Sequence, residues 1–147
     1  MIVITLSESS EISATTYSDA SLIPNNLENS WIVDEKDLPK APIQAWDIID
    51  GAVVVNKNKL ELYKRSQYPK LTRYQFMRGL LENGYKSSDI EAKIMLIEDE
   101  YTRELTMIGF KDATNFVRTD ESVIAMQSIL NLNDEKVDEV WEYALTL

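Results

Sequence analysis

The stretch from Thr72 to Leu147 most limits what this chain can become. Its apolar residues recur at helical spacing, and its polar residues cut the run into short pieces. Thr72-Arg73-Tyr74-Gln75 fits a capping box, in which the threonine hydroxyl accepts from the amide three residues on and the glutamine reaches back. A helix is therefore expected to begin at Thr72. It carries Phe76, Leu80 and Leu81 as an apolar stripe and is expected to stop near Asn83, because Gly84 tolerates the left-handed backbone that ends helices. Ser87 or Ser88 is the next expected cap, with Asp89 in the first turn. Ile90, Ile94, Ile97, Tyr101, Leu105 and Ile108 then recur every three or four residues, which predicts one helical face turned to the core. Phe110, Ala113, Phe116 and Val117 carry that pattern onward through Gly109. A glycine inside a helix costs about 1 kcal/mol relative to alanine, so Gly109 is read as a point of close packing. Two more helices are expected. One is capped near Thr119 or Asp120 and carries Val123, Ile124, Met126, Ile129 and Leu130; the other is capped at Asn133 and carries Val137, Val140, Trp141, Ala144 and Leu145.

The residues before this run read differently. Met1 to Leu6 is short and rich in β-branched side chains, which predicts a strand. Ser7 to Asn29 has few apolar anchors to offset the entropy of ordering, and is expected to be a loop or an extended arm lying on a partner. Trp31-Ile32-Val33 reads as a strand, followed by the interruptions Leu38-Pro39 and Ala41-Pro42. Asp50-Gly51 is a tight-turn signal, so Trp46 to Ile49 and Ala52 to Val55 are expected to form a hairpin. Asn56 to Tyr68 begins a helical pattern through Leu60, Leu62 and Tyr63 that Pro69 closes. The predicted fold class is therefore α+β: an N-terminal strand, arm and hairpin segment over 1–56, a basic helical connector over 57–71, and a bundle of about four short helices over 72–147.

Composition narrows the chemistry. The chain has neither cysteine nor histidine, which removes thiolate nucleophiles, sulfur-ligated metals, the commonest general base and the commonest metal ligand. No apolar run approaches a membrane span, and the N-terminus lacks the basic-then-apolar order of a signal peptide, so a cytoplasmic protein is expected. The net charge of −10 is unevenly spread: residues 51–90 hold 3 acids and 8 bases, between two acidic flanks. Lys57, Lys59, Lys64, Arg65, Lys70, Arg73, Arg78 and Lys86 alternate with tyrosines there, a mixture that can track a nucleic-acid backbone. The overall acidity repels phosphate, however, and the expectation is that the acidic flanks fold against this basic island.

Two sets of stretches carry a resemblance. Trp31-Ile32-Val33-Asp34-Glu35-Lys36-Asp37-Leu38-Pro39, then Ala45-Trp46-Asp47, then Gly51-Ala52-Val53-Val54-Val55-Asn56 resembles a segment that recurs in small proteins of tailed bacteriophages and prophages, including tail-fibre-region proteins. Leu71 to Phe76, Ala113 to Arg118 and Asn133 to Trp141 with Ala144 and Leu147 are similar to another phage-associated module. The resemblance implies a phage accessory protein acting in fibre assembly or as a minor tail component. It implies a tail or tail-fibre protein as partner, work in the host cytoplasm during assembly or in the virion tail, and no enzymatic activity.

The remaining carboxylates offer no sharper chemistry. Glu98, Asp99, Glu100 and Glu104 could share a helical face, yet carboxylate metal sites in bundles normally add an inward histidine. Asp34, Glu35 and Asp37 lack the spaced acids and turn glycine of a calcium loop. No catalytic, cofactor-binding or metal-binding residue is expected. Binding is expected instead through Trp31, Leu38, Pro39 and Trp46, because a small sheet has little partner surface of its own and at least one of the two tryptophans should anchor a partner, with a second copy of the chain as a further option. The alternative function is an acidic phage-encoded inhibitor of a host nucleic-acid-binding or defence enzyme, with carboxylates standing in for phosphates.

Overall fold

The computed structural model describes residues 1–147 and divides them into two compact units, Met1–Lys64 and Arg65–Leu147. The division falls inside the stretch 57–71. The architecture is α+β, with small antiparallel sheets first and helices after. No helix is long and apolar enough to cross a membrane.

In the first unit, β1 (Ile2–Leu6) is the central strand of a three-stranded antiparallel sheet, flanked by β2 (Ile12–Thr16) and β3 (Ser30–Val33). β2 corrects the expectation that Ser7 to Asn29 stays an arm on a partner. Ser10 takes a left-handed backbone, φ 63°, and the chain folds back so that Ile12 pairs with Leu6 and Thr16 with Ile2. Ile12 is the anchor, packing against Ile2, Ile4 and Trp46; backbone pairing supplies what the polar side chains do not. The hairpin forms as expected from β4 (Trp46–Ile49) and β5 (Ala52–Val55). Its turn has Asp50 at φ 51° and Gly51 at φ 77°, the positive values at both central positions that match the twist of a two-residue hairpin. Asn56 then passes into α1 (Lys57–Gln67), and the Asp47 carboxylate accepts from Asn56 Nδ2 at 2.6 Å and Lys59 Nζ at 2.5 Å.

The second unit takes over at Arg65, in the last turn of α1. After β6 (Leu71–Thr72), α2 (Arg73–Glu82) starts with the expected capping box: Gln75 N–H donates to Thr72 Oγ1 at 3.2 Å, and Thr72 N–H donates to Gln75 Oε1 at 3.0 Å. It ends at Asn83, and Gly84 follows with φ 92°. Helix α3 (Ser87–Ile94) begins one residue earlier than a serine cap allows: Lys86 is the cap residue and contributes no side-chain bond.

The long helix expected beyond Ser88 is broken. α4 (Glu100–Lys111) is a separate helix whose N-cap is Asp99, its carboxylate accepting from Thr102 N–H at 2.8 Å. The break at Met95–Glu98 resets the helical phase, so Ile90 and Ile94 are buried while Tyr101, Leu105 and Ile108 are not. The inward residues of α4 are Thr106 and Phe110 instead. The helix ends at Lys111, and Asn115–Phe116 is a strand, β7, where a helical continuation was expected. Phe116 pairs with Leu71 and stacks on Phe76 with ring centroids 4.0 Å apart; that burial outweighs local helical preference. α5 (Glu121–Ile129) is capped by Asp120 and α6 (Asp134–Ala144) by Asn133, as the sequence predicts. Five short helices thus lie within 72–147, in keeping with the bundle of about four that the sequence predicts. Val123, Met126 and Leu130 of the α5 segment face the core, whereas Ile124 is exposed.

The core of this unit is continuous from Leu71 and Phe76 through Ile90, Ile94, Phe110 and Phe116 to Met126 and Trp141. Trp141 closes it, with its ring edge toward Phe76 and its indole N–H donating to the Pro69 carbonyl at 2.9 Å. This unit also buries a cation. The Arg118 side chain is 3% exposed and donates through Nε to Asp138 at 2.8 Å, while Arg65 Nε donates to the same carboxylate at 2.9 Å.

Two outcomes test this packing. A Cβ on Gly109 would sit 2.6 Å from the Ser122 Cβ, so Gly109→Ala is expected to lower stability by roughly 1–3 kcal/mol despite its better helix propensity. Adding Ser122→Gly should recover most of that loss in thermal melts, whereas an unchanged melting temperature for the single variant contradicts the contact. Asp138→Asn leaves Arg118 with a weakened partner and should cost roughly 3–5 kcal/mol in urea unfolding; a loss below about 1 kcal/mol means the pair is not what holds α6.

Candidate functional site

The four expected partner contacts are all in the first unit, and the structure uses two of them internally. Trp46 is only 8% exposed: its ring packs with Ile2 and Ile4, and its indole N–H donates to the Ala41 carbonyl at 2.8 Å. Leu38 and Ile43 pack against the same cluster, because short 3-10 turns at Glu35–Asp37 and Ile43–Ala45 fold the intervening prolines back toward the hairpin. Trp46 is therefore a core residue, and Leu38 is half-buried against it. Pro39 and Trp31 stay half-buried. The Trp31 indole lies along the hairpin turn, 3.4 Å from where a Cβ on Gly51 would stand.

Beside Trp31 is a residue that the sequence reading passed over. Ile32 is 60% exposed and lies on β3, an edge strand whose outer side pairs with no other strand. Trp31 and Val33 sit across from Ile4 and Ile2, so Ile32 points to the opposite face beside Val3; Val3 is buried on the central strand, whereas Ile32 on the edge strand is open. Ile49 on β4 is likewise exposed. An apolar side chain on an open strand edge is an arrangement suited to accepting another strand.

The second unit carries two grooves. One, of about 490 Å³, runs between α4 and α5, with Thr102, Leu105, Ile108 and Gly109 on one wall and Ser122 and Ala125 on the other. Tyr101, Leu105 and Ile108 form an exposed stripe along its rim, at 76%, 47% and 55% exposure. The other, of about 670 Å³, lies on the outer face of α2 among Arg73, Tyr74, Met77, Arg78, Leu81, Glu82 and Ser87. Its charged side chains are already engaged. Arg73 donates to the Phe110 carbonyl at the end of α4, and Arg78 Nε donates to Glu82 at 2.7 Å. The Tyr143 hydroxyl, then Arg78, hold the Glu82 carboxyl below its usual range.

The basic island is used in the same way. Lys59 meets Asp47, Arg65 meets Asp138 and Asp134, and Arg78 meets Glu82. Of the acids at the start of α4, Asp99 serves as a cap, and its bond to Thr102 lowers its pKa. Asp34 pairs with Lys36 at 3.4 Å in the turn before Leu38. No three acidic side chains converge on one point.

Comparison of the chain with protein-family models, with curated proteins and with solved structures gives no match. The site rests on its own geometry.

The titratable groups set a pH window. Asp47 is held low chiefly by Lys59, Asp134 by Gln127 and then Arg118 and Arg65, and Glu82 and Asp99 as described above. Each is more acidic folded than unfolded, so its contribution is present above the unfolded carboxylate value of roughly 4 and is lost as pH falls through the folded values. At the other end, burial and then the hydrogen bond to Glu142 raise Tyr68 from 10.0 to about 12, which stabilises the fold below the unfolded value and is lost on passing upward through the folded one. Melting temperature should be level near neutrality and drop below pH of about 4. The Tyr68→Phe protein should lack one late-titrating phenolate seen at 295 nm in the parent; identical alkaline titrations would refute the Tyr68 assignment.

Proposed function

We propose that this chain is a non-enzymatic accessory protein of a bacteriophage tail region, a tail-fibre assembly factor or minor tail component that works by binding another protein. The observation that carries the reading is the open edge of β3, where exposed Ile32 adjoins half-buried Trp31 within a segment whose sequence resembles tail-region proteins. A strand of the tail or fibre protein adds to β3 through backbone hydrogen bonds, and Ile32 is covered by the incoming side chains. Trp31, flanked by Gly51, stiffens the recipient edge. The second unit supplies a stable body with an acidic exterior at the start of α4. Such a protein acts in the host cytoplasm during assembly, or in the finished tail.

Co-expression with a tail-fibre protein followed by size-exclusion chromatography tests this. A shared peak is expected, weakened about tenfold or more in affinity by Ile32→Lys and little affected by salt, since apolar edge docking is not screened. Separate elution, or binding indifferent to Ile32→Lys, contradicts it. A partner captured only at low salt, and lost on reversing Glu98, Glu100 and Glu104, would favour the inhibitor reading, because those acids stand exposed together at one end of α4.

A further inference from the structure

The stripe on α4 is largely open, although Leu105 and Ile108 also line the groove beside α5. Tyr101, Leu105 and Ile108 are spaced four and three residues apart, the seam spacing of paired helices, and they lie opposite Thr106 and Phe110, which already bind α4 to the core. What can cover such a seam is indicated by the charges beside it. Glu104 and Lys111, seven residues apart, both flank the stripe on the side away from α5, where Gly109 packs on Ser122. The nearest cation to Glu104 is its neighbour Arg103, at 3.8 Å, beyond hydrogen-bond length. Lys111 reaches Glu91 on α3 at 3.5 Å, with half of its side chain in water.

We propose that the occupant is a second copy of this chain, with α4 crossing its symmetry mate in antiparallel fashion about a two-fold axis between Leu105 and Ile108. That placement sets Leu105 against Ile108 of the second copy, twice, and Tyr101 against Asp112, whose carboxylate accepts from the phenol. Glu104 and Lys111 then come within side-chain reach across the axis, again twice. A parallel pair would instead set the Glu104 flank against the Thr102 and Gly109 flank, where no cation stands. The groove beside α5 receives the rim of the mate's stripe, between Leu105 and Ala125. The β3 edge belongs to the other unit, so this association stands whether or not the chain binds a tail component.

Sedimentation equilibrium on the full chain across the micromolar range reads this directly. A dimer is expected, and Ile108→Glu should make it monomeric with unchanged far-UV circular dichroism. Glu104→Lys alone should weaken dimerisation about tenfold, and Glu104→Lys with Lys111→Glu should restore it, because the swap regenerates both cross-pairs. Since the parent has no cysteine, mixing Leu105→Cys chains with Ile108→Cys chains gives an independent readout: oxidation should link unlike chains faster than like ones. A monomer at every concentration overturns the proposal. So does a dimer indifferent to Ile108→Glu, a charge swap that fails to restore association, or cross-linking without preference for the mixed pair.

Discussion

Arg118 is the constraint around which the second unit is arranged. A guanidinium does not give up its proton inside a protein, so burying it demands a carboxylate at hydrogen-bond distance, and Asp138 supplies one. The same Asp138 takes a second bond from Arg65, while Asp134, one turn earlier on α6, accepts from Arg118 and from Gln127 of α5. Two cations and two anions therefore fix α6 against the end of α1 and the segment leaving β7. With α6 so placed, Trp141 falls onto Phe76 and Ala144 onto Gly79, where a Cβ would be only 2.8 Å from the alanine methyl. The apolar core supplies most of the driving force; the ion pairs choose which way the last helix lies.

Local signals in the sequence translated directly into structure. Thr72 with Gln75, Asn133 ahead of an acidic first turn, and Asp50-Gly51 between two β-branched runs each specify a conformation through chemistry confined to a few neighbouring residues. The errors occur where distant residues decide. Phe116 is a strand residue because Leu71 and Phe76, some forty positions away in the chain, are beside it, and no window around Phe116 contains that information. The polar tract containing β2 is ordered by backbone pairing with β1, which side-chain composition does not report. Asp99 could have been recognised as a cap from Thr102 following it, but the unbroken rhythm from Ile90 to Ile108 favoured a single helix.

The same break in helical phase bears on the surface. Residues expected in the core, Tyr101, Leu105 and Ile108, are outside, while Trp46, expected at a contact, is buried with Leu38 half-buried against the same cluster. Both reversals follow from where the chain breaks its periodicity: the interruption before α4 turns a stripe outward, and the turns around the prolines draw Leu38 and Trp46 in. Trp31 and Pro39 keep partial exposure, and Ile32 is more exposed than the larger aromatic beside it.

The two borders of the first sheet differ in kind. β2 shows water Ser13, Ala14, Thr15 and Thr16, while β3 shows it Ile32. Growth at the hydroxyl-bearing margin would bury little grease, so the ribbon has one sticky side and one slippery side. Apolar burial is thus available along one margin alone, and the two edges differ in their tendency to the sheet stacking that seeds fibrils.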